Sequence, residues 1–262
     1  MIDLHTHSTF SDGSLSPQAL VHAAGEAGLS ALALTDHDTT AGIPSFMRAC
    51  KSAGITGVPG VEISVEFSPG TMHMLGFFMD LDHQPLQDAL ARLREGREQR
   101  NRKILAALCD LGMALTWGEV AALAGSDVIG RPHIAQAMIN RGYASTKKEV
   151  FRRFLGRGLS AYVERFRLDP HKGIGLIRDA GGVCVLAHPF TLKLQKKKLR
   201  TCIAKLVASG LQGLEVFYPE HGPERRHQYQ RLARAFDLVM TGGSDFHGDA
   251  NPAIKLGRGF DN

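Results

Sequence analysis

The sequence predicts an α/β fold built on a mostly parallel sheet. Short apolar, β-branched runs alternate with helix-patterned segments towards both ends of the chain. Histidines and carboxylates gather where those runs finish, as they do when ligands bind beyond the carboxyl ends of parallel strands. The rhythm breaks once, from Gln84 to about Tyr162, where the patterning is helical.

The opening MIDLHTHSTFSDG reads as a strand in which residues two apart share a face, so His5 and His7 point the same way. A Ser-Asp-Gly turn then brings Asp12 back over them. Ser16-Pro17 caps a helix that runs to Gly28, and SALALTDHD is a buried strand ending in Asp36, His37 and Asp38. A helix from Ile43 to Ala53 leads into ITGVPGVEISVEF, a strand carrying Glu62, and then into TMHMLGFFMD, a strand carrying His73. The helical stretch has breaks near Gly112, Gly125 to Gly130, Gly142 and Gly156 to Gly158. After it come a helix begun by Asp169-Pro170 and ended by Gly181-Gly182, the strand VCVLAHP, a basic helix, the strand GLEVFY, another helix and LVMTGGSDFH. The expected organisation is an α/β unit from residues 1–83 and 163–262 with a helical insertion, 84–162, covering its active site.

An apolar content of 44% and a charged content of 22% describe an ordinary globular protein. The absence of a long apolar window and of a signal-peptide pattern makes the expected location cytoplasmic. Cys50, Cys109, Cys184 and Cys202 form no C-x-x-C pair, which argues against a disulfide framework or a thiolate zinc site. A net charge of +5 suits an anionic substrate, while the run from Lys193 to Arg200 reads as a solvated helix face rather than an RNA track.

Candidate ligands at the strand ends are His5, His7, Asp12, His37, Glu62, His73, His188, Asp245 and His247. Singly, His73 and His188 read equally well as core histidines, and His5 and His7 as a polar terminus. Glu62 is harder to place without a cation, because a buried carboxylate needs a strong partner. Nine donors exceed what one ion takes, so two or three divalent ions fit the set better.

The motifs HTHSTFSDG, TDHDT, GVEIS, the histidine of TMHMLG, AHP and GSDFH, in this order and spacing, resemble the PHP (polymerase and histidinol phosphatase) family of metal-dependent phosphoesterases over nearly the whole chain. The resemblance implies a distorted (β/α)7 barrel with up to three metals, manganese first and zinc or iron as alternatives. It implies that the nine residues are the ligands, with Glu62 as the bridge and with Asp12, His37, Glu62 and Asp245 at the catalytic centre. The expected chemistry is hydrolysis of a phosphate ester by a metal-held hydroxide, which requires no protein nucleophile. Asp36 or Asp38 is placed to orient a ligand, and the leaving-group acid stays open between His221, His133 and a metal-held water.

Inside the helical stretch, an apolar stripe runs through Leu86, Leu90 and Leu93 and resumes at Ile104, Leu108 and Leu111. Its gap falls on Arg97 and Arg100. In IGRPHIAQ, Pro132 marks a first helical turn, which places Arg131 and His133 at a helix N-terminus suited to phosphate. These four residues are the candidate substrate-binding set. The same segment resembles the PHP subgroup that acts on 3',5'-nucleotide bisphosphates and 5'-phosphorylated RNA ends, although AHPF followed by TLKLQKKKLR departs from it. The expected partner is therefore a nucleotide or short 5'-phosphorylated RNA, with no membrane and no obligate protein partner. A histidinol-phosphatase activity and a nucleic-acid-binding or proofreading module are the alternatives.

Overall fold

A computed structural model describes residues 1–124 and 128–259. The first half of the alternation gives β1 (Ile2–Asp3), α1 (Pro17–Glu26), β2 (Ala31–Leu34), α2 (Ile43–Ala53), β3 (Thr56–Val65) and β4 (Met72–Phe77). Four helices follow: α3 (Gln84–Asp110), α4 (Trp117–Ala124), α5 (Arg131–Asn140) and α6 (Lys147–Val150). The alternation then returns with α7 (Pro170–Asp179), β5 (Val183–Leu186), α8 (Lys196–Ala208), β6 (Gly213–Phe217), α9 (Pro223–Ala235) and β7 (Val239–Gly242).

Local chemistry sets the helix ends. Ser16 accepts the Ala19 N–H at the start of α1, and Asp169 accepts those of His171 and Lys172 at the start of α7. The α2 helix stops at Gly54, whose φ of 68° is a left-handed turn that glycine adopts without strain.

The strands lie in sequence order in one seven-stranded sheet. Pairing is parallel from β1 to β3 and from β5 to β7, where helices return the chain between strands. By contrast, β4 is antiparallel to both neighbours. The link from β3 to β4, residues 66–71, is too short for a crossover helix, so the chain folds straight back. At the opposite seam Leu4 N–H donates to Gly242 O, His7 N–H donates to Phe246 O, and Thr6 bridges Phe246. The sheet is thereby nearly closed into a barrel with helices around it.

The opening strand is shorter than its pattern predicts. Regular pairing ends at Asp3, and beyond it Thr6 N–H turns to the Thr35 hydroxyl while Thr35 N–H donates to Thr6 O. These side-chain and single-bridge contacts replace a ladder. The helical stretch also stops early: after α6 comes one π-helical turn, Phe151–Leu155. Residues 156–169 are then turn and extended chain, with Gly158 at a φ of 80° and Leu168 bridging Val65. Of the predicted break at Gly125 to Gly130, residues 125–127 lie outside the described residues, and Gly130 precedes α5.

Burial divides α3 between two cores. Its first half adds Leu86, Leu90 and Leu93 to the barrel core with Ile63, Met74 and Leu186. Its second half joins Ile104 and Leu108 to Val120, Ile134, Met138 and Leu155 of the helical lobe. The stripe ends at Leu108, not Leu111: the helix closes at Asp110, and Leu111 is 46% exposed. Between the two apolar halves, Arg97 and Arg100 are buried.

Candidate active site

The nine predicted donors meet at one rim of the barrel. Strands β1, β2, β5 and β7 bring theirs just past their carboxyl ends. The antiparallel β4 brings His73 from its beginning, opposite Ser64 of β3. Glu62, 1% exposed, sits in the middle. Its Oε2 lies 2.9 Å from His37 Nδ1, 3.3 Å from His7 Nε2 and 3.4 Å from His5 Nε2. Its Oε1 lies 2.7 Å from His73 Nδ1 and 2.9 Å from His188 Nε2. Asp245 Oδ1 is 3.1 Å from His7 Nε2, and Asp12 Oδ1 is 3.2 Å from His247 Nε2.

Eight of the nine fall into three overlapping groups compact enough to hold an ion: His7, Asp12, His37 and His247; His5, His7, Glu62 and Asp245; and His37, Glu62 and His73. His188 joins through its contact with Glu62. The fit to cations shows in the orphaned atoms. His5 Nε2, His7 Nε2, His37 Nδ1, Asp12 Oδ1, Glu62 Oε2 and Asp245 Oδ1 are all buried without a hydrogen-bond partner among the described residues. Each such atom costs about 1–3 kcal/mol, and lone pairs converging in this way are what a divalent ion satisfies. Nitrogen and oxygen donors without sulfur suit manganese, iron or zinc.

The electrostatics agree. Burial opposes charge on His7, yet Asp245 and Glu62 outweigh it and lift its pKa to about 10. Burial likewise disfavours the ionised forms of Asp12, Glu62 and Asp245, but the surrounding imidazoles hold all three well below the usual carboxylate range. Desolvation takes His73 down to about 4, which leaves it a neutral donor. The site is an anionic centre that draws positive charge.

A second ring of carboxylates holds the ligands in place. Glu215, fully buried on β6, meets His5 Nδ1 at 2.9 Å through Oε1 and accepts the His188 N–H at 2.6 Å through Oε2. Asp36 accepts from Ser8 N–H and from the hydroxyls of Ser8 and Ser11. Asp3 accepts from Ser244 and from the Gly257 N–H. Tyr218 donates to Asp245 Oδ2 at 2.8 Å, which leaves Oδ1 turned towards the histidines. His188 and Asp245 occupy positive φ, 23° and 57°, a strained backbone that these bonds help to hold.

Beside the cluster, Asp12, His37 and His73 form one wall of a pocket of about 190 Å³ whose other walls carry Arg97, Arg100, Arg131, Arg165 and Arg167. Arg97 Nε donates to Asp38 Oδ2 at 2.6 Å, and Arg165 reaches the same oxygen at 3.4 Å. Arg131 donates to Leu155 O and stacks over Phe151. The Nε of Arg100 is buried without a partner among the described residues. Burial first, and then the neighbouring guanidiniums, push Arg100 well below its ordinary pKa and Arg165 to about 9. Cations this crowded favour an anion among them.

Two predicted residues stand differently from the rest. His133 does not line this pocket; its Nδ1 accepts the Gly130 N–H at the start of α5. His221 is fully buried behind Tyr218, hydrogen-bonded to Val216 O and pushed by desolvation to about 4. Arg165, Arg167, Glu215 and Tyr218 escaped sequence reasoning. The period-two spacing of the arginines in ERFRL, and a carboxylate inside the apolar run GLEVF, are signals that could have found three of them.

Comparison with known proteins places this geometry. The PHP domain model matches residues 3–207. A Salmonella typhimurium 5'-3' exoribonuclease Rnm is 36% identical over 98% of this chain and 88% of its own. A Chromobacterium violaceum 3',5'-nucleoside bisphosphate phosphatase is 33% identical over 98% and 90%. A solved Bifidobacterium adolescentis structure, provisionally assigned as a metal-dependent phosphoesterase, superposes with a TM-score of 0.90 at 32% identity, covering 99% of this chain and 91% of that one. With the family motifs gathered at one rim and relatives matching end to end, the chain belongs to the PHP domain family.

Proposed function

We propose that the protein is a metal-dependent phosphoesterase acting on substrates with two phosphates, namely 3',5'-nucleotide bisphosphates and 5'-phosphorylated RNA ends. The observation that carries this reading is the shared wall: Asp12, His37 and His73 belong to the donor cluster and also border the arginine pocket. One phosphate lies at the cluster while the other fills the pocket. One such arrangement would serve both activities for which two of the relatives are named, a 3',5'-nucleoside bisphosphate phosphatase and a 5'-3' exoribonuclease.

The nine donors would hold two or three divalent ions, with manganese preferred, and His7, His37 and Glu62 shared between groups. Ions there would make water a competent nucleophile near neutral pH and offset charge on the phosphoryl oxygens. The chain's own residues do the positioning. Arg100 and Arg131 grip the 5'-phosphate, Arg97 and Arg165 keep the pocket positive while anchored on Asp38, and the pocket orients the 3' ester towards the cluster. Water adds to phosphorus, the P–O3' bond breaks, and the 3' oxygen leaves with a proton. A bisphosphate gives a nucleoside 5'-monophosphate and inorganic phosphate; RNA gives a nucleoside 5'-monophosphate and a shortened chain with a new 5'-phosphate.

A side-by-side assay of adenosine 3',5'-bisphosphate, 5'-phosphorylated and 5'-hydroxyl RNA, histidinol phosphate and an aryl phosphate tests the reading. The first two should be preferred, and Arg100→Ala or Arg131→Ala should cost them far more than the aryl phosphate. Histidinol phosphate as the best substrate, or equal cleavage of 5'-hydroxyl RNA, would overturn it.

A further inference from the structure

The two helices that follow β5 and β6 concentrate the positive charge of the molecule. Together α8 and α9 carry nine Lys and Arg against one acid, Glu224, a net of +8 where the whole chain has +5. Everything else is therefore net negative by three. This charge is not scattered: Lys196, Arg200, Arg231 and Arg234 line one groove of about 610 Å³ between the helices, and all four are exposed. The two helices start on the side of β5 and β6 from which His188 joins the cluster. Lys196 starts α8 shortly after His188, and Arg225 lies 5.5 Å over the ring of Phe190, whose centroid is 6.4 Å from that of His188. The arginine pocket instead adjoins Asp12 and His37.

Against the expectation that the Lys193 to Arg200 run is only a solvated helix face, we propose that the α8–α9 face is a docking track for the phosphodiester backbone of single-stranded RNA downstream of the scissile bond, a reading that rests on the RNA activity proposed above. A basic groove follows a backbone without reading its sequence. Phe190, partly exposed beneath Arg225, offers a stacking surface where the chain leaves the cluster. An anionic membrane fits less well, because the apolar residues Leu199, Ile203 and Leu206 of α8 are buried against the barrel, leaving no apolar face to insert.

The test uses the metal-loaded protein and two double variants of the groove lining, Arg200→Glu/Arg231→Glu and Lys196→Glu/Arg234→Glu, with folding checked by circular dichroism. For 5'-phosphorylated RNA of about 12 nucleotides, KM should rise about tenfold or more. The slope of log affinity against log salt should flatten by about 0.7 for each lost contact. Turnover of adenosine 3',5'-bisphosphate should stay unchanged. An unchanged RNA affinity and salt slope in both folded variants would overturn the track, as would an equal loss on the bisphosphate. Charge-dependent binding of phosphatidylserine vesicles with unaltered RNA affinity would overturn it in favour of a membrane. Equilibrium RNA binding, measured alongside turnover, separates the two readings. RNA that binds with the expected slope but is never cleaved sinks the proposed activity and keeps the track; cleavage with binding indifferent to the variants does the reverse.

Discussion

At Glu215 a carboxylate is the only side chain of its length that serves both neighbours. It meets two donors, His5 Nδ1–H and the His188 N–H, and thereby turns the lone pair of His5 Nε2 towards Glu62 and Asp245. An amide has one acceptor and must fail one of them. Glu215→Gln should therefore release the His188 backbone or reverse the His5 tautomer, lowering bound metal by up to one ion per chain and activity by roughly 10–100-fold. Elemental analysis beside kinetics checks this, and full metal content with full activity would refute it. The residue was as visible in GLEVF as Glu62 was in GVEIS. What hid it was the lack of a pattern separating a ligand from the group that aims a ligand. Tyr218 is hidden more deeply, since nothing local announces its bond to Asp245, 27 residues away.

Elements show the same division between what lies along the chain and what lies across it. Caps, strand ends and the glycine stops were legible because each depends on a few adjacent residues. The truncation of β1 and the reversal of β4 were not, because they depend on the closing seam and on a link whose length matters only once its neighbours are placed. Arg97 illustrates the consequence for the site: the interrupted stripe exposed its polarity, but its partner Asp38 comes from the loop after β2. That pairing carries a pH signature. Burial would raise the Asp38 pKa, but Arg97 and Arg165 hold it well below the carboxylate range. Its stabilisation is therefore fully present above the unfolded value of about 3.9 and fades as pH falls through and below it. Urea titrations should show Asp38→Asn clearly less stable than the parent at pH 7, with the gap narrowing below about pH 4. A gap that stays constant with pH would show that the pair is not ionised. Removing the other side, Arg97→Ala, should cost less than the 3–5 kcal/mol typical of a broken buried pair, because Arg165 remains on Asp38.

Across the whole molecule, the centre ties distant stretches of chain together, since His5, His188 and Asp245 follow three different strands and Glu62 lies inside a fourth. Ions binding there act on global stability. Stripping them with a chelator should lower the melting temperature, and manganese at about 100 times its Kd should restore roughly 5–10 °C. Scanning calorimetry or dye-monitored melting reads this directly, and an unmoved transition would mean that no ion is bound in the native state. Among the described residues, no helix is long and apolar enough to cross a membrane. The division of α3 between two cores bears on any attempt at surgery. A cut at residue 84 would tear Leu86, Leu90 and Leu93 out of the barrel, whereas a splice past Leu93 would spare them and discard the arginines of the next turns. A chimera carrying a foreign lobe must therefore inherit the first three turns of this helix from its host, and its donor will choose which phosphate the graft can recognise.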